Sequence, residues 1–226
     1  MAFDMFIKYF ALAFSALLPL LNPLGSAILF TSLVGPAPPA VYRSLARKIA
    51  RNTLLFLVTI ELVGAALLNF FGISLPVVQV AGGLVLGAMG FSLLNQKDTE
   101  TAAPITTAEE APALLLALEQ KAFYPLTFPI TAGPGCIVVM LTLSAHASSD
   151  IVVDDVMGHI GVFIAVVTLS ILIYFSYAYA PRITRAISPQ TAHGILRVIA
   201  FLLVSIGVQI AWNGIVALIA TMPVRH

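Results

Sequence analysis

The residues of this chain best placed to do chemistry do it with their backbone. Two segments set proline and glycine inside apolar stretches, Pro19-Leu20-Leu21-Asn22-Pro23-Leu24-Gly25-Ser26 and Pro129-Ile130-Thr131-Ala132-Gly133-Pro134-Gly135-Cys136. A proline has no N–H and its ring clashes with the carbonyl four residues earlier, so Pro23 frees the carbonyl of Pro19 and Pro134 that of Ile130. Gly25, Gly133 and Gly135 let the backbone turn where a side chain would collide. Asn22-Pro23 also reads as an N-cap followed by proline at the first helical position, and Gly133-Pro134 as a poorer version of that start. A half-helix beginning there aims unpaired N–H groups and a partial positive charge inward, a seat for a carboxylate, while freed carbonyls suit an ammonium group. The plainer reading is a pair of kinks that help tilted helices pack.

Other polar residues are sparse. Ser205, Gln209 and Asn213 stand at i, i+4 and i+8, one polar stripe on an apolar helix, expected to face protein or water. The stripe serves either inter-helix hydrogen bonding or substrate contact. Glu61 is the only acid well inside an apolar stretch, where an ionised carboxyl is costly, so it is a candidate for coupling to an ion. His159 and His193 stand at the starts of apolar stretches, while His146 and His226 read as solvated, and no metal-ligand spacing appears. Cys136 is the single cysteine and reads as a small packing residue, with no acid or histidine placed to activate it. Tyr174, Tyr177 and Tyr179 read as an aromatic belt, and Gly83 with Gly87 as a close-packing step. With no nucleophile–base pair, neither an enzyme nor a cofactor is expected.

These groups must be held by membrane helices. Of 226 residues, 60% are hydrophobic and 9% charged, with a mean hydropathy of +1.02, too little polar surface to cover a soluble globule. A net charge of +1, with basic residues scattered over loops, gives no reason to expect nucleic acid. Runs long enough to cross a bilayer core of about 30 Å fall near residues 7–34, 48–69, 76–95, 121–144, 156–179 and 195–220. The first run continues well past a signal-peptide core and is expected to be retained. Nine of the eleven Lys and Arg residues lie in the 1–2, 3–4 and 5–6 connections, which are therefore expected to be cytoplasmic, with both termini outside.

The reading is an all-α membrane protein of six helices in two inverted three-helix repeats, the first and fourth helices broken. Residues 1–95 form the first repeat, 96–120 a cytoplasmic linker in which Pro112 to Lys121 suits a short surface helix, and 121–226 the second repeat. A shift of 110 residues places Pro19 on Pro129, Gly25 on Gly135 and Ser26 on Cys136. Inverted repeats with broken helices are the architecture of many secondary transporters, which hold substrate where the breaks meet.

The two break segments resemble the MarC family of membrane proteins, as do Phe71-Gly72-Ile73-Ser74 leading into Ala81-Gly82-Gly83, and Gly207-Val208-Gln209 with Asn213-Gly214. The resemblance runs over essentially the whole chain. It implies six spans in two inverted halves within a lysine-exporter-like group, in the bacterial cytoplasmic (inner) membrane. Some relatives move neutral amino acids such as glycine and alanine, so the resemblance implies a transporter for small zwitterionic solutes with a coupling proton or sodium ion. Passive conduction of small solutes and efflux of another small metabolite are the alternatives, and homo-oligomerisation stays open. The expected binding residues are Pro19, Asn22, Pro23, Gly25, Ser26, Pro129, Ile130, Thr131, Gly133, Pro134, Gly135, Ser205, Gln209 and Asn213, with Glu61 for coupling.

Overall fold

A computed structural model describes residues 2–95, 111–147, 151–187 and 189–221. These residues form nine α-helices joined by short turns, with one irregular segment and no strand among them. Helix α1 (Ala2–Leu21) runs into α2 (Pro23–Val34) across Asn22, and the two together make one apolar span, Phe3–Val34. Pro38-Pro39 starts α3 (Pro39–Phe70), since proline suits the first turn of a helix. Gly72, at φ 66°, makes the turn into α4 (Leu75–Leu94). The chain continues through α5 (Ala111–Gln120), the irregular segment Ala122–Thr131, α6 (Pro134–Ala147), α7 (Val152–Ala178), the short α8 (Ala180–Arg185) and α9 (Pro189–Ala220).

Helix α3 starts well before the expected span 48–69. Membrane hydropathy ends at the charged residues, but the helix does not, because the chain there is amphipathic. Arg43, Arg47 and Arg51 lie on its exposed side, while Tyr42, Leu45, Ala46, Ile49, Thr53 and Leu57 are buried on the other. Glu61 falls in phase with that buried stripe. Residues 96–110 of the expected linker lie outside the described residues, as do Asp150, Arg225 and His226. The linker's second part forms α5 as expected, and its Glu119 meets Lys48 of α3 at 3.1 Å.

Among the described residues, four helical spans are long and apolar enough to cross a membrane, and five if Ala122–Thr131 and α6, bent by 69°, count as one. The buried core gathers Leu17 and Leu21 of α1, Leu45 and Ile49 of α3, Met140 of α6, and Val162, Leu169 and Ile173 of α7. Helices α4 and α9 pair with each other at the periphery. In lipid no hydrophobic force joins two apolar helices, so close approach of small residues must do it. A Cβ on Gly83 would stand 2.5 Å from Gly207 O, and one on Gly207 2.6 Å from Gly83 O. The packing role expected of Gly83 is therefore observed, whereas Gly87 has open space beside its own Cα.

Candidate functional site

The first interruption is narrow. Asn22 takes left-handed backbone angles (φ 43°, ψ 64°), and its Oδ1 accepts from the Gly25 N–H at 3.2 Å. Pro23 fills the first helical position, so the expected cap is present. The Ser26 hydroxyl folds back on the same step, 2.9 Å from Leu21 O and 2.6 Å from Asn22 O.

The second interruption is wide, and a local repeat builds it. Tyr124-Pro125-Leu126-Thr127 is followed at once by Phe128-Pro129-Ile130-Thr131, an aromatic–proline–aliphatic–threonine unit used twice. Tyr124 (φ −118°, ψ 124°) and Phe128 (φ −117°, ψ 127°) are extended, as a residue before proline prefers to be. Each threonine hydroxyl then donates five residues back, Thr127 to Ala122 O at 2.7 Å and Thr131 to Leu126 O at 2.6 Å. The backbone follows the same wide spacing, with Leu126 N–H donating to Lys121 O and Ala132 N–H to Thr127 O.

The two interruptions converge on Tyr177 of α7. Thr131 Oγ1 lies 2.7 Å from the Tyr177 hydroxyl, and because Thr131 already donates to Leu126 O, the phenol donates to it. The Ser26 hydroxyl lies against the same phenol, and the Phe30 ring stacks on Tyr177 with centroids 4.5 Å apart. Tyr177 is fully buried, so it does not belong to the aromatic belt expected of it, although Tyr179 beside it is exposed. Its place was hidden because 46 residues separate it from Thr131 and local spacing cannot reveal that pairing.

Of the expected binding residues, Ser26 and Thr131 meet at this phenol, and most of the others on the two interruptions lie at least half-buried. Pro23, Gly25, Ser26, Thr131 and Gly135 are buried, and Asn22, Pro129, Ile130, Gly133 and Pro134 are half-buried. A Cβ on Gly135 would stand 2.9 Å from Leu86 and 3.3 Å from Leu20, and one on Gly25 2.7 Å from Ile199, so both glycines mark close approach. Pro19 lies on the exposed face of α1, because the helix runs on regularly to Leu21 with Leu17, Leu20 and Leu21 facing the core. Ser205, Gln209 and Asn213 are exposed as well, so the stripe expected to face protein or water does not face the rest of the protein. The glycine face of α9 is turned to α4 instead, and the stripe satisfies itself, with Gln209 Nε2 donating to Asn213 Oδ1 at 2.9 Å and the Ser205 hydroxyl to Phe201 O at 3.0 Å. The dipoles expected to be bare are also partly occupied, since Asn22, Ser26, Thr127 and Thr131 use their own side chains on the broken turns.

A second polar group lies between α3, α6 and α7. Glu61 is 8% exposed, its Oε1 is 2.7 Å from His159 Nδ1, and its Oε2 has no hydrogen-bond partner. His159 Nε2 lies 3.7 Å from Asp155 Oδ1, one helical turn away. The Ser144 hydroxyl of α6 donates to the Glu61 backbone carbonyl at 3.0 Å. A cavity of about 360 Å³, lined chiefly by apolar side chains, opens beside Glu61. Among the described residues no group of three or more His, Cys, Asp or Glu side chains is arranged to hold a metal.

A family model described as MarC family integral membrane protein matches residues 7–219. The chain is 30% identical over 223 residues to the UPF0056 inner membrane protein MarC of Salmonella typhimurium, covering 96% of this chain and 98% of the relative. It is 29% identical over 225 residues to the protein of that name from Citrobacter koseri, with the same coverage. A UPF0056 membrane protein of Pyrococcus abyssi is 27% identical over 209 residues, covering 92% of this chain and 95% of the relative. No solved structure matches the chain.

Proposed function

The chain belongs to the MarC family of integral membrane proteins, and from that premise we propose that it is a secondary transporter of small neutral amino acids or similar zwitterionic solutes. The observation that carries this reading is the meeting of two interrupted helices at one buried phenol, Tyr177. Irregular backbone at membrane depth is tolerated where it is buried in protein or lines a cavity, and paired breaks are how transporter folds hold substrate. The N-termini of α2 and α6 would take the carboxylate, and carbonyls of the broken turns the ammonium. Leu20 and Leu86 fill the space against Gly135, so the substrate enters when α4 moves away from α6. The close approaches at Gly25 and Gly135 leave little room for a large side chain.

Packing supports an inverted pair of three-helix halves, with α3 as the sixth span. Under an axis exchanging the halves, α4 meets α9 and α3 meets α7, while the contact of α1 with α7 corresponds to that of α6 with α3. The basic residues of the 1–2, 3–4 and 5–6 connections put both termini outside. Glu61 is the coupling acid in this reading, neutralised when it takes up a proton, and no catalytic role or cofactor is assigned.

Counterflow of labelled glycine, alanine and serine in proteoliposomes tests the reading. Saturable, protein-dependent exchange is expected, which a passive pore does not give. Absence of flux under every imposed gradient overturns it. Glu61→Gln is expected to keep exchange and lose gradient-driven accumulation, the separation that a coupling residue produces.

A further inference from the structure

We propose that the cavity beside Glu61 is a binding site for a small organic monocation, an ammonium group carrying an apolar body of a few carbons. The inference goes beyond the transport reading and holds whatever passes the breaks.

Charge comes first. The titratable groups at the cavity are Glu61 from α3 and Asp155 with His159 from α7, and neither lysine nor arginine is among its lining residues. With both carboxyls ionised, the three groups carry a net negative charge whether His159 is protonated or neutral. Lys8 of α1, which packs on α7, is exposed and has its ammonium over the Tyr9 ring instead. A cation is therefore the favoured guest. His159 occupies only Oε1 of Glu61, leaving Oε2 buried and without a partner on a carboxylate that is otherwise held in place. Intramembrane carboxyls normally find a partner, and an unpaired buried oxygen is costly enough that a donor from outside the chain is the natural completion.

The rest of the cavity decides which cation. Apart from the three titratable side chains it is walled by Val58, Leu62, Met140, Val156, Ile160, Phe163 and their neighbour Val166. A sodium ion would find one or two carboxylate oxygens and otherwise bare hydrocarbon, far from the six or so oxygens that a hard cation requires. An alkylammonium brings its own apolar surface to that wall and needs only one charge-assisted hydrogen bond at its head. About 360 Å³ falls within the ordinary range of small-molecule pockets. The ammonium could belong to a free amine or to an aminolipid headgroup, since both present the same chemistry.

The probe is radiolabelled n-hexylammonium, measured by equilibrium binding to the full chain in nanodiscs, with empty discs as background. Saturable binding is expected, displaced by unlabelled amine and not by hexanol or hexanoate. Glu61→Gln is expected to weaken it about tenfold or more, as loss of a charge-assisted hydrogen bond in an apolar site does. Val156→Trp, at a position 45% exposed, fills the mouth while leaving the carboxylate in place, and is expected to block binding in a protein that still elutes as a single species. Discs of phosphatidylglycerol alone and of phosphatidylethanolamine alone separate the sources. Binding only in the former means that the lipid ammonium holds the site in the latter, and equal binding means a free amine. No saturable binding in either disc, equal displacement by hexanol, or full binding by both variants overturns the proposal.

Discussion

Asn22 carries two demands at once, a left-handed backbone and a side chain that caps Gly25. Asparagine tolerates positive φ better than other non-glycine residues and also accepts from the helix start, which accounts for its presence there. Asn22→Ala is expected to lose about 1–2 kcal/mol of stability in a denaturant titration in mixed micelles, and Asn22→Gly much less, because glycine relieves the backbone. Equal losses would show that the left-handed backbone demand does not matter. Tyr177→Phe keeps the ring against Phe30 and removes the hydroxyl that reaches Thr131. A loss of about 1 kcal/mol is expected, and the double variant with Thr131→Val should lose less than the two single losses summed, since the shared hydrogen bond is removed only once while Thr131→Val also gives up its bond to Leu126 O. Additive losses would mean that the pair does not act together. Gly25 and Ser26 were readable as break residues from their neighbours, whereas Tyr177 looked like one of three belt tyrosines because nothing local distinguishes it.

Among the elements, the α4–α9 pair gives the sharpest contrast. Gly83→Val should push backbone from backbone and cost about 1–3 kcal/mol or more, whereas Gly87→Ala should be nearly neutral, since nothing lies within 4 Å of its added methyl. Thermal unfolding monitored by intrinsic fluorescence checks both, and equal midpoints would refute the tight crossing. The small-residue step was legible in the sequence as a spacing, but which of its glycines has no room for a side chain depends on the crossing point, since the backbone of Gly87 also lies against Gly207. The second interruption shows the same division. Proline and glycine announced a break, yet the doubled aromatic–proline–aliphatic–threonine unit makes it bend by 69°, while the first break leaves one 32-residue span.

For the whole molecule, the distribution of Lys and Arg makes a topological prediction. Alkaline phosphatase fused to either terminus is expected to be active and green fluorescent protein dark, as for two outside ends. Fluorescence from one terminus and phosphatase activity from the other would require an odd number of crossings and remove the inverted-repeat reading. Helices from early and late in the chain interleave, α1 on α7 and α4 on α9. The same interleaving brings Glu61 and His159, 98 residues apart, into contact.

Composition and hydropathy determined by themselves that this is a membrane protein of long apolar helices, because in lipid the backbone has few ways to satisfy itself and only length and polarity need be read. Proline, glycine and asparagine likewise placed both interruptions, since their effects on the backbone are local. Only the tertiary structure decided what meets at those interruptions, which face α9 turns inward and what Glu61 touches. Those outcomes rest on helix crossings between residues far apart in the chain, where van der Waals fit selects a neighbour that no periodicity encodes.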